Sequence, residues 1–358
     1  MGKSRVSVHQ VAEVMEQIKD GSRIVTGMAA AEPEGFFQYL SGDFGKSRDL
    51  RWKIFCANPT QAYSCFAEQT EPSPFQLIVM FLTSVVRSYQ VHSHVHYSPQ
   101  HLSHWVQNIL ALGQPDVFWG VCTEPDERGF VSLGPGACYE SEIRRRAKMV
   151  VLEINPQLPL TFGDTQVPVK EVDFFIERQR NLPLLTPACP QPIDHQIAGY
   201  IADLVPDGAT IQLGIGNIPN AVGEALGQKK DLGIHTEMIN DAMMDLSHKG
   251  VITGRRKTIW PGKIVGSFAY GSQELYRFLD KNPLVELQPS SVVNDPYRIG
   301  RNHHMISINT AIEVDITGQV CSESIGHQEL SGVGGASETH VGAQRSANGR
   351  STCRSHAH

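Results

Sequence analysis

The chain has 358 residues, enough for two hydrophobic cores, because single domains commonly contain about 100 to 200 residues. Its 41% hydrophobic and 19% charged residues, with 32 glycines and 21 prolines, are typical of a globular protein rich in tight turns and exclude a fibrous or disordered chain. The net charge of −6 provides no basic field to attract nucleic acid or an anionic membrane, so neither partner is expected.

The first predicted element is an amphipathic helix in which Val8, Val11 and Val14 share one face and which Gly21 ends. This segment has neither the long apolar core nor the cleavage site of a signal peptide, and its acidic residues argue against a mitochondrial address. The apolar run FQLIVMFLTSVV at 75–86 is too short to cross a bilayer, so it is predicted to be a buried strand or helix. We expect a cytoplasmic protein, or a mitochondrial one if a eukaryotic chain is targeted by a segment missing here.

Metal-ligating residue types are present, but their spacing does not form a metal site. The seven cysteines are scattered without a CxxC pair, which argues against a disulfide framework or a structural zinc site and favours a reducing compartment. The stretch QVHSHVHYSPQHLSHW places His92, His94 and His96 on one strand face, yet no cysteine or acid lies among them. We interpret these histidines as surface or loop residues and expect no metal.

Two stretches of the chain share a pattern of turn, strand, glycine loop and helix start. DGSRIVTGMAAAEPEGFFQYL at 20–40 aligns with DGATIQLGIGNIPNAVGEAL at 207–226, and RDLRWKIF at 48–55 then aligns with KDLGIHTE at 230–237. Two matches in the same order favour an internal duplication at an offset of about 185 residues. Between the halves, RNLPLLTPACPQPID at 180–194 contains four prolines, including Pro187, and is predicted to be a linker.

The fold class follows from the alternation of strand and helix patterns. Strands such as AKMVVLEIN and ATIQLGIG alternate with helical stretches such as HQIAGYIADLV. This order predicts α/β domains whose mainly parallel sheets are covered by helices. In such sheets, ligands bind at the carboxyl ends of the strands.

Glu237 lies at one of these strand ends. It follows the alternating pair Leu232 and Ile234 and precedes the apolar segment MINDAMMDL, beside which a carboxylate is costly to desolvate. Glu237 therefore faces solvent, pairs with a lysine elsewhere in the chain, or has a functional role. Its counterpart in the other half is Phe55, when Asp231 is aligned with Asp49, so the shared scaffold does not require an acid here.

A glycine loop, Gly214 to Gly216, follows the preceding predicted strand. With Asn217 and Pro219 it begins a helix, where backbone amides can hold an anion or approach a flat ligand. Tight packing of the strand against the helix explains the same glycines equally well, and neither the GxGxxG fingerprint nor a P-loop is present. The segment SGVGG at 331–335 is a second loop with the same two interpretations.

Longer motifs add a family resemblance. The segments GATIQLGIGNIPNAV, KDLGIHTEM, PGKIVGSFAYGSQELYRFLD, NTAIEVDITGQVCSESIG and SGVGG resemble the second domain of the acetyl-CoA hydrolase/transferase family, in its 4-hydroxybutyrate and butyrate CoA-transferase branch. The first half agrees through GSRIVTGMAAAEP and EINPQLPLTFGD. The resemblance implies two similar CoA-transferase-type α/β domains with the active site between them.

These observations predict an N-terminal domain at 1–180, a proline-rich linker at 181–195 and a C-terminal domain at 196–335. After SGVGG the family continues with further strands and helices, whereas this chain keeps only a trace in GAQRSANG. Residues 336–358 are therefore expected to be a divergent, disordered tail that follows a truncated domain.

By the resemblance, Glu237 in GIHTEM occupies the position of the family's nucleophilic glutamate. It would attack an acyl-CoA, form an acyl-glutamyl anhydride and then a glutamyl-CoA thioester, and pass CoA to a second carboxylic acid. The resemblance also assigns CoA contacts to seven residues, namely Gln212, Leu213, Gly214, Ile215, Gly216, Ile312 and Gly335. Gly334 and Gly335 correspond to backbone groups that stabilise the oxyanion.

The predicted activity is CoA transfer between an acyl-CoA and a short-chain carboxylate such as acetate, 4-hydroxybutyrate or butyrate. Coenzyme A is a substrate, and no permanently bound cofactor is expected. Two alternatives stay open, namely an acyl-CoA hydrolase with water as the final acceptor and an inactive CoA-binding remnant. The expected partners are acyl-CoA and short carboxylic acids, and the resemblance leaves a homo-oligomer open.

Overall fold

The computed structural model describes residues 7–42, 50–67, 73–89, 94–186 and 189–354. The chain divides into two compact units, Met1–Gln100 with His104–Pro183, and His101–Ser103 with Leu184–His358. Several residues used in the sequence predictions lie outside the described ranges, namely Arg48 and Asp49 of the duplicated pattern, His92 of the histidine-rich stretch, Pro187 of the linker, and 355–358 of the tail.

A seven-stranded sheet forms the centre of the first unit, and all its paired strands are parallel. The strands of this unit are β1 (Arg23–Thr26), β2 (Trp52–Phe55), β3 (Phe75–Val79), β4 (Val95–Tyr97), β5 (Val117–Cys122), β6 (Phe130–Ser132), β7 (Met149–Ile154), β8 (Gln166–Pro168) and β9 (Phe174–Glu177). Its α-helices are α1 (Val11–Met15), α2 (Glu34–Leu40), α3 (Ser64–Ala67), α4 (Ser84–Arg87), α5 (Trp105–Ala111) and α6 (Glu140–Arg144), with 3-10 turns at Ala29–Ala31 and Val169–Glu171. The sheet order is β4-β3-β2-β1-β5-β7-β9, while β6 and β8 form a separate antiparallel pair.

A six-stranded parallel sheet forms the centre of the second unit. The strands of this unit are β10 (Thr210–Leu213), β11 (Gly233–His235), β12 (Met238–Ile239), β13 (Ile264–Gly266), β14 (Phe268–Ala269), β15 (Val285–Leu287), β16 (Met305–Thr310), β17 (Glu313–Val314), β18 (Val320–Cys321), β19 (Ser324–Ile325), β20 (Gln328–Glu329) and β21 (Arg350–Arg354). Its α-helices are α7 (Pro192–Asp203), α8 (Asn217–Ala225), α9 (Asp241–His248), α10 (Gln273–Leu279), α11 (Ser290–Val293), α12 (Pro296–Ile299) and α13 (Ala336–Arg345), with a 3-10 turn at Leu226–Gln228. A further 3-10 turn, Leu102–His104, contributes Leu102 and Ser103 to this unit. The sheet order is β15-β13-β11-β10-β16-β21.

The two sheets share one strand order over six positions. If β1 is aligned with β10, the order β4-β3-β2-β1-β5-β7 corresponds to β15-β13-β11-β10-β16-β21. Each central strand is followed by a glycine, Gly27 or Gly214, and then by a helix, as the duplicated sequence pattern predicts. The predicted fold class, α/β with mainly parallel sheets, is confirmed. The placement of an active site between the domains stays a prediction.

Local sequence signals explain where several helices begin. Helix α7 begins at Pro192, because the first helical position needs no N–H donor and therefore tolerates proline. Gln191 and Asp194 form a reciprocal capping box at the same end. Helix α9 begins after Asn240, whose Oδ1 accepts the Met243 N–H at 3.3 Å. Helix α7 thus begins inside the predicted linker at 181–195, and the predicted domain boundaries stay predictions.

The segments that raised the questions of a membrane span and a metal site have ordinary structural roles. The apolar run at 75–86 forms β3 and then α4. In the described ranges, no helix has both the length and the apolar character needed to cross a bilayer. His96 is exposed, whereas His94 lies in a turn and is buried with its Nε2 3.1 Å from the Phe66 carbonyl, so His94 is a loop residue but not a surface residue.

The predicted disordered tail is wrong for residues 336–354. These residues form α13 and β21, and β21 pairs in parallel with β16 from Ile306↔Arg350 to Thr310↔Arg354. The composition was misleading because α13 packs through small residues. Ala343 is fully buried with Ile299, and a Cβ on Gly342 would overlap the Ile299 side chain. Close packing of this kind needs few large apolar side chains.

Candidate active site

The main chain of Glu237 is fixed at the carboxyl end of β11. Strand β11 lies between β10 and β13 in the parallel sheet and ends at His235, two residues before Glu237. The Glu237 carbonyl oxygen accepts two backbone N–H groups, from Ser267 at 2.8 Å and from Phe268 at 3.2 Å. This anchoring presents a partly buried carboxylate at the sheet edge where ligands of parallel α/β domains bind.

Two donors hold the Glu237 carboxylate. The side-chain amide of Asn294 donates to Glu237 Oε2 at 3.0 Å, and the backbone N–H of Gly335 donates to the same carboxylate. A Cβ on Gly335 would overlap both Asn294 Nδ2 and Glu237 Oε2. Glycine is required at position 335 because the carboxylate occupies the space of a side chain.

The SGVGG segment positions the Gly335 N–H. Gly334 has φ +52°, in the left-handed region that favours glycine, and Gly335 is the N-cap of α13. The Gly334 carbonyl accepts the Leu102 N–H at 3.1 Å, and Ser290 Oγ donates to the Leu102 carbonyl at 3.1 Å. Gly335 therefore packs closely on Asn294 and Glu237, and a contact between this loop and a ligand stays a prediction.

A second carboxylate lies beside Glu237. Glu338, in the first turn of α13, is buried, and its Oε2 accepts Asn294 Nδ2 at 3.3 Å. Burial raises the pKa of Glu237 to about 7; Glu338 also raises it, while the Asn294 and Gly335 donors oppose the rise. Burial likewise raises the pKa of Glu338 to about 7, against donation from Ser103 and Asn294. Because Asn294 bridges the two carboxyl groups, their ionisation is coupled.

His235 supports the site as a neutral side chain. Its Nε2 lies 2.8 Å from the Val293 carbonyl, one residue before Asn294. Burial, reinforced by Lys257, lowers the pKa of His235 to about 3, so the ring is uncharged at neutral pH. The neutral ring links β11 to the end of α11 and thereby helps to place Asn294.

The predicted CoA loop lies next to the Glu237 segment. Thr236 Oγ1 donates to the Leu213 carbonyl at 3.4 Å, which joins the end of β10 to the residue before Glu237. Beyond Leu213, Ile215 is 53% exposed, and Gly216 has φ +114° and caps α8 without a side-chain acceptor. A Cβ on Gly216 would meet no atom within 4 Å, so the loop has open space beside it.

The residues predicted to contact CoA differ in burial, because Gln212 and Leu213 are buried whereas Ile215 is exposed. Leu213 is buried, and the Gln212 Oε1 accepts Ser307 Oγ at 2.8 Å and the Ile308 N–H at 3.2 Å. Gln212 therefore serves a buried polar network, and its contact with CoA stays a prediction. Ile312 donates its N–H to Cys321 at 2.8 Å, beside the β17–β18 hairpin, and belongs to a different hydrogen-bond network from Glu237.

The sequence interpretation missed Asn294, Glu338 and Ser103. Asn294 stands immediately before the N-cap Asp295 of α12, in the segment VNDPYRIGRN, where an asparagine is typical of a helix start. Glu338 follows SGVGG by three residues, in the segment that was assigned to the tail. In the described ranges, no group of three or more His, Cys, Asp or Glu side chains could hold a metal ion.

Comparison with known proteins relates most of the chain to one family. The acetyl-CoA hydrolase/transferase N-terminal domain matches residues 5–185, and the C-terminal domain of that family matches residues 271–357. The chain is 35% identical over 347 residues to the succinyl-CoA:cyclohexane-1-carboxylate CoA transferase of Geobacter metallireducens, covering 97% of this chain and 78% of that protein. It is 43% identical over 228 residues to the 4-hydroxybutyrate coenzyme A transferase of Clostridium kluyveri, a match covering 64% of this chain and about half, 53%, of that enzyme.

Two solved structures superpose on nearly the whole chain. The crystal structure of RipA from Yersinia pestis superposes with a TM-score of 0.88 at 30% identity and covers 97% of this chain and 80% of that one. The 4-hydroxybutyrate CoA-transferase of Porphyromonas gingivalis gives a TM-score of 0.78 at 30% identity, with 95% and 78% covered. The chain therefore belongs to the acetyl-CoA hydrolase/transferase family.

Proposed function

We propose that this protein transfers coenzyme A between an acyl-CoA and a short-chain carboxylate, such as acetate, 4-hydroxybutyrate or butyrate, with Glu237 as the nucleophile. The observation that carries the proposal is the Glu237 carboxylate at a strand end, held by the Gly335 N–H and the Asn294 amide. The names of the relatives support it, because they describe CoA-transferases that act on several different acyl groups.

The carboxylate is suited to nucleophilic attack. A carboxylate whose pKa is raised to about 7 by burial is more basic than a hydrated one and is still substantially ionised at neutral pH. Glu237 attacks the thioester carbonyl, a C–O bond forms, and the C–S bond breaks to release CoA thiolate and leave an acyl-glutamyl anhydride. The thiolate then attacks the glutamyl carbonyl, which releases the first carboxylate and leaves a glutamyl-CoA thioester. A second carboxylate reverses both steps.

The Gly335 N–H has a role in each cycle. When CoA thiolate attacks the glutamyl carbonyl, negative charge develops on an oxygen of Glu237 itself. The N–H that already donates to this carboxylate is then in place to stabilise the oxyanion. Gly334, in its left-handed conformation, orients the peptide that carries this N–H.

The glycine loop after β10 is the proposed path of the pantetheine arm. The exposed Ile215 provides apolar surface, and the helix α8 begins after Gly216, where the first backbone N–H groups of a helix are directed out of its N-terminus. Gln212, Leu213, Gly214, Ile312 and Gly335 complete the proposed set of CoA contacts. CoA enters and leaves as a substrate, and the proposed reaction needs no resident cofactor.

Acyl-CoA hydrolysis is the second candidate. It is favoured by a weaker relationship, 27% identity over 273 residues, to the acetyl-CoA hydrolase of Neurospora crassa. The two activities share a site, because water that reaches the anhydride or the glutamyl thioester converts transfer into hydrolysis. Measuring CoA release and butyryl-CoA formation from acetyl-CoA, with and without butyrate, separates them.

The decisive experiment is trapping of the covalent intermediate. The protein is mixed with acetyl-CoA and analysed by intact mass, and the thioester is then reduced with borohydride before peptide mapping. We expect a CoA adduct on the intact chain and a reduced residue at Glu237 in the peptide 231–246. Glu237→Gln should form no adduct, whereas Glu274→Gln, which removes an exposed carboxylate of α10, should form it normally. An adduct on another residue contradicts the mechanism, and CoA binding without any adduct supports the inactive remnant.

A further inference from the structure

The Asn294 side chain makes its hydrogen bonds through one end only. Its Nδ2 donates to Glu237 Oε2 at 3.0 Å and to Glu338 Oε2 at 3.3 Å. Its Oδ1 is buried and has no hydrogen-bond partner among the described residues. Nothing on the oxygen side therefore fixes the amide, and the two carboxyl groups determine which end of Asn294 faces Glu237. A half-turn of the amide would place Oδ1 against both carboxyl groups.

Glu338 is the partner of Asn294 that the proposed reaction leaves covalently unchanged. Ser103 Oγ donates to Glu338 Oε1, and the 3-10 turn that carries Ser103 is held by Gly334 and Ser290. Among the described residues, the charged neighbours of Glu338 include Glu237 and Asp295, both acidic, and Asn294 and Ser103 donate to its carboxyl group. Glu237, in contrast, loses its charge whenever it is acylated or carries CoA.

We infer that Glu338 is a positioning residue for the proposed reaction, because it holds the Asn294 amide with an N–H directed at Glu237 throughout the catalytic cycle. The inference rests on the proposed function. During the steps in which Glu237 is an anhydride or a thioester, Glu338 is the carboxylate that keeps Nδ2 in place. The donor is then already oriented when the Glu237 carboxylate is regenerated.

A double-mutant cycle tests whether Glu338 acts through Asn294. Glu338→Gln should lower kcat by about 10- to 100-fold, the scale of a small misplacement of a reacting group, while KM for acyl-CoA changes little. In the Asn294→Ala background, the same change should alter kcat by less than about twofold, because the shared partner is gone. Additive effects, or a Glu338→Gln variant with normal kcat, overturn the inference. Glu274→Gln serves as the matched charge control.

The acid limb of kcat/KM provides a readout that a merely structural role would not move. Removing the Glu338 charge removes a repulsion that raises the pKa of Glu237, but under the inference it also releases the Asn294 donor, whose larger effect lowers that pKa. The acid limb of Glu338→Gln should therefore shift to higher pH. An unshifted limb overturns the inference.

The contact itself can be measured without catalysis, which also serves if Glu338→Gln does not fold. In Glu237→Gln protein labelled with ¹⁵N-asparagine, the Asn294 side-chain amide, identified by its loss in Asn294→Ala, should shift with pH as Glu338 titrates. An amide that does not respond overturns the inference. If the wild-type chain forms no adduct at Glu237, the proposed function fails by itself, and this titration still decides whether Glu338 controls Asn294.

Discussion

Replacing Gly335 with alanine tests the geometry around Glu237 most directly. Gly335 has φ −111° and ψ 8°, a backbone conformation without positive φ, so alanine adds little backbone strain. The new Cβ, however, would lie under 3.0 Å from both Asn294 Nδ2 and Glu237 Oε2. The perturbation therefore falls on the nucleophile and its donor.

The expected loss follows from the displacement. Ordinary Cβ contacts lie at 3.4–4 Å, so Glu237 Oε2 has to move by about 1 Å or more. A misplacement of that size costs about 100-fold in rate, equivalent to roughly 2.7 kcal/mol of activation free energy. We expect Gly335→Ala to reduce both transfer from acetyl-CoA to butyrate and the rate of adduct formation by this factor.

The control is Gly199→Ala in α7, where an added Cβ meets no atom within 4 Å. This variant should keep full activity and gain slightly in stability, since alanine favours a helix over glycine. If Gly335→Ala folds with a normal melting curve and transfers CoA at the wild-type rate, the carboxylate is not held as described and our account of the site is wrong.

Four further measurements follow from the same structure. Glu237→Gln should reduce transfer on the order of 1,000-fold or more, and Glu237→Asp by about 100-fold, in steady-state assays; normal turnover by either variant would refute the nucleophile. Because folding raises the pKa of Glu237 and Glu338 from 4.5 to about 7, the stability they contribute is present at low pH and lost as pH rises through about 7; Glu237→Gln should thus raise Tm relative to wild type at pH 8 but not at pH 4.5. Gly214→Ala, whose Cβ would lie 3.6 Å from the Ile308 carbonyl in ordinary contact, should fold normally yet bind acyl-CoA more weakly by calorimetry; unchanged affinity would favour a packing role for the loop. A chain ending at Arg345 lacks β21 and should melt on the order of 5 °C lower than one ending at Arg354; equal melting temperatures would show that the strand contributes nothing.

The sequence was most informative where local patterns decide the structure. The strand, glycine and helix succession around Gly214, and the alternating residues before Glu237, depend on short-range periodicity and turn chemistry, and both were predicted. The duplicated pattern also predicted two sheets, which share six strand positions. Glu237 could be singled out because the other half has Phe55 in its place.

The partners of Glu237 could not be predicted in this way. Asn294 lies 57 residues beyond Glu237, and Glu338 lies 44 residues beyond Asn294, so their contacts arise only when α11 and α13 pack beside β11. The hydrophobic periodicity of a sequence reports local structure and does not indicate contacts between residues so far apart along the chain. The error at the tail has the same origin, because Gly342 and Ala343 stabilise α13 through close packing on Ile299, whereas composition counts them as small residues.

The paired N–H groups on the Glu237 carbonyl restrict how a carrier side chain can move. Because the Glu237 carbonyl oxygen accepts N–H groups from both Ser267 and Phe268, the backbone of Glu237 is fixed and its carboxyl group moves only by rotation about the side-chain bonds. Under the proposed mechanism, both carboxylic acids must therefore react, one after the other, within the small range of positions that the Glu237 carboxyl group can reach. The donor acid and the acceptor acid therefore compete for one binding position, so an excess of either acid should inhibit the transfer reaction of the other.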